Sequence, residues 1–335
     1  MDRQWRMMVG VVSLLLSMVV VFVGGAFAQE AKLAKYNLTW YPTGTTGTTY
    51  GVAVAASTLI NKYSPLPGLP KLQISVVPGK GTVEHTRQLV EGQIDIGLTG
   101  PDIAAEAYDG KGAWAKFGTK GKELRALVPA TAMGTQIYSF WDGPVKTFWD
   151  IKGKRVADQS KAMSMQRLNA AVWEAAGWEP GKDFKVTHYQ AMEAMYEALK
   201  DGHADVIIHT QGFPSVGPQE LFTIKHCRLV GLPDEVIKKA LMDKRYWYKT
   251  TIPTNQYPKQ DYPVSTIGVV LFWGTTTRLP DDVAYEICKI MHQNYKEGVG
   301  MYQPYGQFQD LFVDFIVPFH PGAEKYWKEV GLLKK

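Results

Sequence analysis

Thr43-Gly44-Thr45-Thr46-Gly47-Thr48-Thr49-Tyr50 separates a strand-like run from a helix-like run. Before it, Lys35 to Tyr41 carries Tyr36, Leu38, Trp40 and Tyr41; after it, Val52, Ala53, Ala56, Leu59 and Ile60 recur near helical spacing. The loop between them holds two glycines and five threonines but no lysine, so it is not a nucleotide-binding G-x-x-x-x-G-K-S/T loop. Glycines let successive N–H groups converge, and a following helix adds the positive end of its dipole. Threonine hydroxyls add donors and a helix N-cap. Such a loop suits a carboxylate, phosphonate or sulfonate. Its other reading is an ordinary strand-to-helix turn that binds nothing.

Upstream, Met1 to Ala28 reads as a secretory signal peptide. Arg3 and Arg6 precede the apolar stretch Met7 to Val23, and Ala26-Phe27-Ala28 supplies small residues before Gln29. The apolar stretch is short for a membrane span, so cleavage after Ala28 and a periplasmic location are expected. Removing this segment lowers the formal charge from +5 to +4. The remaining basic residues are scattered, which argues against a nucleic-acid partner. Cys227 and Cys288 are read either as a disulfide or as two buried thiols.

The length of the mature chain calls for two lobes. Strand and helix signals alternate. Lys71 to Val77, Ile94 to Leu98 and Leu124 to Pro129 read as strands, with helices capped by Thr82 and opened by Pro101-Asp102. The pattern restarts at Gln136 to Trp141. It continues through Arg155 to Ala157, a helix from about Ala162 to Ala176, Phe184 to His188, a helix ending near Gly202, and Asp205 to His209. Ser265 to Trp273 would then carry the chain back. Repeated β-α-β units imply an α/β fold with parallel strands and helices on both faces. Two discontinuous lobes are expected, 30–132 with 275–335 against 133–274. Ligands of such sheets gather at the carboxyl ends of strands. Five polar loops follow strand runs: Gly44 to Tyr50, Gly79 to Thr82, Thr99 to Asp102, Asp158 to Ser164, and Thr210 to Phe213.

Catalytic patterns are scarce. Phe213-Pro214-Ser215-Val216-Gly217 lacks the first glycine of a nucleophile elbow, and S-x-x-K, H-E-x-x-H and C-x-x-C do not occur. No two histidines stand at i, i+4 spacing. Glu91 with Asp95, and Asp201 with Asp205, read as solvated residues at helix ends rather than acid–base pairs. No enzyme activity, cofactor or metal is expected.

Several stretches in order resemble the TAXI family (TRAP-associated extracytoplasmic immunogenic) of solute-binding proteins. Thr43 to Tyr50 is similar to its T-G-G-T-G-G-T-Y-Y region, and Gly81-Thr82-Val83-Glu84-His85 with Gln88 to Gly97 to its G-S-V-E-N and L-x-x-G-x-x-D-x-A region. Asp150-Ile151-Lys152-Gly153-Lys154-Arg155-Val156, Leu279-Pro280-Asp281-Asp282-Val283 and His320-Pro321-Gly322-Ala323-Glu324-Lys325-Tyr326 complete the resemblance. It implies a type II periplasmic binding protein fold: two β/α lobes with a hinge and a central ligand cleft. It also implies capture of a small organic anion and its delivery to TRAP-type membrane permease subunits. The alternatives are the binding component of an ABC importer for a sulfonate-like anion, or an enzyme on the same fold.

The cleft expected from these loops is lined by Thr45, Thr46, Gly47, Thr48, Thr49, Tyr50, Thr82, Thr99, Gly100, Asp102, Gln159, Ser160, Met163, Ser164, Thr210, Gln211, Gly212 and Phe213. The threonine loop is expected to hold the acidic group, and Asp102 to meet an ammonium or hydroxyl. Met163-Ser164-Met165 stands where the family has a small polar turn, so Met163 and Phe213 are expected to cover an apolar or aromatic part of the ligand.

Overall fold

Two long strands passing side by side through the middle of the molecule organise everything else. The computed structural model describes residues 35–45, 48–313 and 315–333. Residues 1–28, read from the sequence as a signal peptide, and Thr46 and Gly47 lie outside them.

In chain order the first part contains β1 (Lys35–Tyr41), α1 (Thr48–Tyr63), β2 (Lys71–Val76), α2 (Thr82–Glu91), β3 (Ile96–Thr99) and α3 (Pro101–Asp109). After β4 (Leu124–Phe140) the middle part contains β5 (Arg155–Gln159), α4 (Gln166–Ala175), β6 (Lys185–Tyr189), α5 (Met192–Lys200) and β7 (Val206–Gln211). It continues with α6 (Val216–Ile224), β8 (Cys227–Leu229), α7 (Asp234–Ala240) and β9 (Trp247–Ile252). Strand β10 (Val264–Thr276) returns the chain to α8 (Asp281–Gln293), α9 (Tyr295–Met301) and α10 (Pro321–Glu329).

The strands form one ten-stranded sheet in the order β2-β1-β3-β10-β4-β7-β5-β6, with β8 on β4 and β9 on β10. The β1–β3, β5–β6 and β5–β7 pairs are parallel. The crossing strands β4 and β10 are antiparallel to each other and to their neighbours β3 and β7. Each crossing strand therefore serves both ends of the molecule. The far half of β10 pairs with β3 through Phe272, Trp273 and Gly274, and its near half pairs with β9 from Val264 to Val269.

Both crossing strands are buried along almost their whole length. A strand covered on both faces reads as a continuous apolar run rather than an alternation. This explains one difference from the sequence reading: Leu124 to Pro129 and Gln136 to Trp141 are not two strands but parts of β4. The residues between them, Ala130 to Thr135, belong to the same strand. Gly134 is small because the Phe213 ring lies over it, 2.9 Å from where a Cβ would stand.

Helix limits follow local chemistry. Helix α3 has Pro101 in its first turn and ends on Gly110 in the left-handed region at φ 64°. Helix α2 ends the same way on Gly92, φ 77°. Its N-cap is Gly81, not Thr82, and no side chain caps it.

The main core runs the length of the sheet. At one end Trp40 meets Trp273 edge-on at 5.2 Å, and at the other Phe148 stacks on Trp178 at 5.0 Å. Cys227 and Cys288 are free and buried, so the disulfide reading falls. Burial pushes both thiols up, Cys227 to about 12. The C-terminal helix returns to the first part: Trp327 donates to the Leu127 carbonyl at 2.9 Å, and His320 N–H to the Ala126 carbonyl at 2.8 Å.

Candidate functional site

Loops at the carboxyl ends of β2, β3 and β5, contributed by two distant parts of the chain, touch one another. Thr82 and Ser164, 82 residues apart, share a hydrogen bond of 2.8 Å between hydroxyls, and the Ser164 N–H donates to Thr82 Oγ1 at 3.2 Å. Both side chains are buried. The Met163 sulfur lies against Gly81, 3.0 Å from where a Cβ would be. Gly100 is pressed by Ser164 and Asp102: a Cβ there would stand 2.6 Å from Ser164 Oγ and 2.8 Å from Asp102 Oδ1. At the end of β7, Gly212 approaches the Thr48 hydroxyl. The hydroxyl that sequence assigned to a helix cap is thus spent between the two walls.

The β2–α2 loop is folded around His85, which sequence reasoning did not single out. Its Nδ1 faces the Leu98 carbonyl at 3.3 Å and its Nε2 accepts the Gly81 N–H at 3.4 Å. Burial pulls the imidazole down to about 4, so it is neutral and keeps one donor and one acceptor. Gly79 must be small because its Cβ would lie 1.9 Å from His85 Nε2.

In the threonine loop, Thr49 is buried and its hydroxyl is paired with Thr43 Oγ1 at 2.7 Å. This bond staples the loop to its helix. Thr45 is exposed, while Thr48 and Tyr50 are half-buried. The first turn of α1 carries no acidic residue, leaving the positive end of a sixteen-residue helix uncompensated.

On the opposite wall the polar groups divide into committed and uncommitted ones. Asp158 is buried; its Oδ1 accepts from Asn169 Nδ2 and from the Gln159 N–H, each at 2.7 Å. Burial pushes its carboxyl up, opposed by Asn169, Gln166 and His188. Thr210 donates to Asn169 Oδ1 at 2.7 Å and pairs with Thr135 at 2.7 Å. Gln211 donates to the Tyr138 and Tyr196 hydroxyls, and Ser160 to Gln190. Thr99 is likewise committed, to Thr86 and the Gly97 carbonyl. These residues build the wall rather than present donors. Gln159 differs: its Nε2 is buried without a partner. Phe213, half-buried, packs against the cluster containing Tyr138 and Tyr257.

Asp102 is 3% exposed, and its Oδ2 accepts no hydrogen bond. The nearest charge is Arg167 of α4, with Nη1 at 3.4 Å. Burial pushes the carboxyl up to about 6, against the pull of Arg167 and of the Ile103 N–H. Arg167 also holds Glu106 bidentately, at 2.7 and 3.1 Å. Neither Arg167 nor Glu106 was expected at the site. The available signal was spacing, since Arg167 follows Ser164 by three residues and Glu106 lies one helical turn beyond Asp102.

Among the described residues no group of three histidine, cysteine, aspartate or glutamate side chains converges to hold a metal, and no helix is long and apolar enough to cross a membrane.

Residues 42–331, nearly the whole described chain, match the NMT1-like family. The chain belongs to the NMT1-like family. That match overturns the resemblance to the TAXI family, and the TRAP-type permease expected with it falls too.

Among solved structures, the chain is similar to the periplasmic aliphatic sulphonate binding protein SsuA from Escherichia coli, at 16% identity over 88% of this chain and 83% of that one, TM-score 0.49. It is similar to the alkanesulfonate-binding protein SsuA from Xanthomonas axonopodis pv. citri bound to MOPS, at 14% identity over 89% and 84%, TM-score 0.45. It is also similar to the ligand-binding component of an ABC-type import system from Staphylococcus aureus, at 12% identity over 90% and 93%, TM-score 0.47. At these scores the likenesses say nothing of what this chain binds. The described residues form a mixed α/β fold around one ten-stranded sheet.

Proposed function

We propose that this NMT1-like protein is an exported solute-binding protein that captures a small organic anion, sulfonate-like or carboxylate, and hands it to the membrane subunits of an ABC-type importer. The observation that carries this reading is the meeting of strand-end loops across the sheet: Thr82 and Gly100 from one side, Met163 and Ser164 from the other. Loops that distant in sequence converge on a cleft, and a cleft between two lobes closes on a ligand it contacts from both sides. The division 30–132 with 275–335 against 133–274 is supported by the register of β4 and β10 and by the return of α10 to Leu127.

The anion class is supported by the uncompensated start of α1 and by the threonines around it. Arg167 already faces two carboxylates, so it leaves no spare charge for the ligand. The backbone N–H groups of Thr45 to Tyr50 and the hydroxyl of Thr48, with the backbone N–H of Thr82 beside them, would hold the acidic group, since the Thr49 and Thr82 hydroxyls are already paired. Gln159 would supply a further donor, while Met163 and Phe213 would cover the apolar body. The remaining proposed site residues, Thr99, Gly100, Asp102, Ser160, Ser164, Thr210, Gln211 and Gly212, would shape the walls.

The test is mass spectrometry of whatever the purified protein releases, followed by thermal-shift measurements with alkanesulfonates and carboxylates matched in chain length. Saturable stabilisation by one series supports the reading. Stabilisation by none of the anions, with a neutral or cationic compound released instead, overturns it.

A further inference from the structure

The walls of the cleft are joined by more than the Thr82–Ser164 bond. Arg167 reaches from the first turn of α4 to two acids one turn apart on α3. It makes a planar fork-to-carboxylate contact with Glu106 at 2.7 and 3.1 Å, and a 3.4 Å charge contact with Asp102. Such forked pairs hold geometry as well as charge. Tyr246, preceding β9, stands close enough that, after burial, the Asp102 and Glu106 charges push its hydroxyl up. Arg167 has no spare charge for an anion: two carboxylates already face its one guanidinium.

We propose that Arg167 is a positioning residue that clasps α4 to α3 across the cleft and sets how much of the protein stands closed before a ligand arrives. The clasp rests on the proposed two-lobed closure, but it acts in the bare protein. A ligand binding only the closed form gains affinity in proportion to the closed fraction. Arg167 therefore tunes affinity without touching the ligand.

The test uses the full mature chain without ligand. Spin labels at Lys116→Cys and Glu193→Cys report the distance between the two sides by pulsed electron resonance; native Cys227 and Cys288, 2% and 0% exposed, stay unlabelled. The expected result is a single distance in the parent, an added longer population with Arg167→Met and with Glu106→Gln, and a mostly parental distribution with Arg167→Lys. Unchanged distributions in both Arg167→Met and Glu106→Gln would overturn the clasp, as would a shift in Arg167→Met that Glu106→Gln does not share. Should Arg167→Met not fold, Glu106→Gln decides alone, because Glu106 is half-exposed at the surface of α3. The measurement needs no ligand, so a clasp that works in a protein that binds no anion would sink the functional reading and leave the clasp standing.

Discussion

Gly100→Ala puts a wedge where the walls meet. The backbone tolerates it, since Gly100 sits at φ −92°, ψ 141°, an extended conformation open to any residue. The difficulty is space: the new methyl would stand 2.6 Å from Ser164 Oγ, 2.8 Å from Asp102 Oδ1 and 3.1 Å from Ser164 Cβ. The two oxygens can swing on their side chains. Ser164 Cβ cannot, because its backbone N–H and hydroxyl are both tied to Thr82. The β5–α4 loop must therefore retreat by a few tenths of an ångström and weaken the Thr82 bonds. Overpacking of this kind costs about 1–3 kcal/mol. It falls on the closed form, where Ser164 is present, and spares an open form where it is not. Affinity for the released ligand should then drop by about fivefold to a hundredfold in calorimetry, while circular dichroism stays that of the parent. Ser164→Gly in the same chain should restore part of the loss. Unchanged affinity in folded Gly100→Ala would show that the Thr82–Ser164 contact does not report ligand closure.

Three further outcomes concern burial and packing elsewhere in the protein. Because the folded Asp102 carboxyl is raised from 3.8 to about 6 by burial, it favours the folded state below about pH 4 and loses that contribution as pH rises through about 6. Chemical denaturation should show the parent losing up to about 3 kcal/mol relative to Asp102→Asn between those limits, with Arg167, Glu106, Tyr246 and Ser164 the groups that face it; parallel pH profiles would refute this. Gly322→Ala would place a methyl 1.9 Å from the Asp281 carbonyl oxygen, so scanning calorimetry should show a lower Tm, by about 1–3 kcal/mol of stability, without any change in ligand affinity. Finally, a thiol reagent should titrate no cysteine in the native protein and both Cys227 and Cys288 after denaturation, with or without prior reduction; one thiol or none in the denatured, unreduced protein would contradict free cysteines.

Much of the fold was legible because its signals are local. Pro101 at a helix start, Gly92 at a helix end and the polar–apolar alternation of Lys71 to Val76 act within a few residues. The crossing strand β4 was not read as one element, since its continuity depends on partners on both sides and on Phe213 filling the space above Gly134. At the site, sequence named the loops but not the commitments of their groups. Thr49, Thr210 and Gln211 look like free donors in a sequence, yet their partners Thr43, Asn169 and Tyr138 take them. Arg167 was missed because its partner Glu106 lies 61 residues away, and His85 because its role is set by the Leu98 carbonyl of another element. Family membership was also misread: the match over residues 42–331 is to the NMT1-like family.

The crossing strands have a mechanical consequence. Strands β4 and β10 are hydrogen-bonded to each other from Leu124 with Thr276 to Gly134 with Gly268. A paired ribbon cannot swing like a flexible linker; it bends as a leaf spring, with both leaves flexing together. On the proposed two-lobed closure, opening the cleft would bend that ribbon, and its relaxation would return the walls toward each other. Phe213 rests on the ribbon at Gly134, so on the same proposal a ligand pressing on that ring would bear directly on the paired strands.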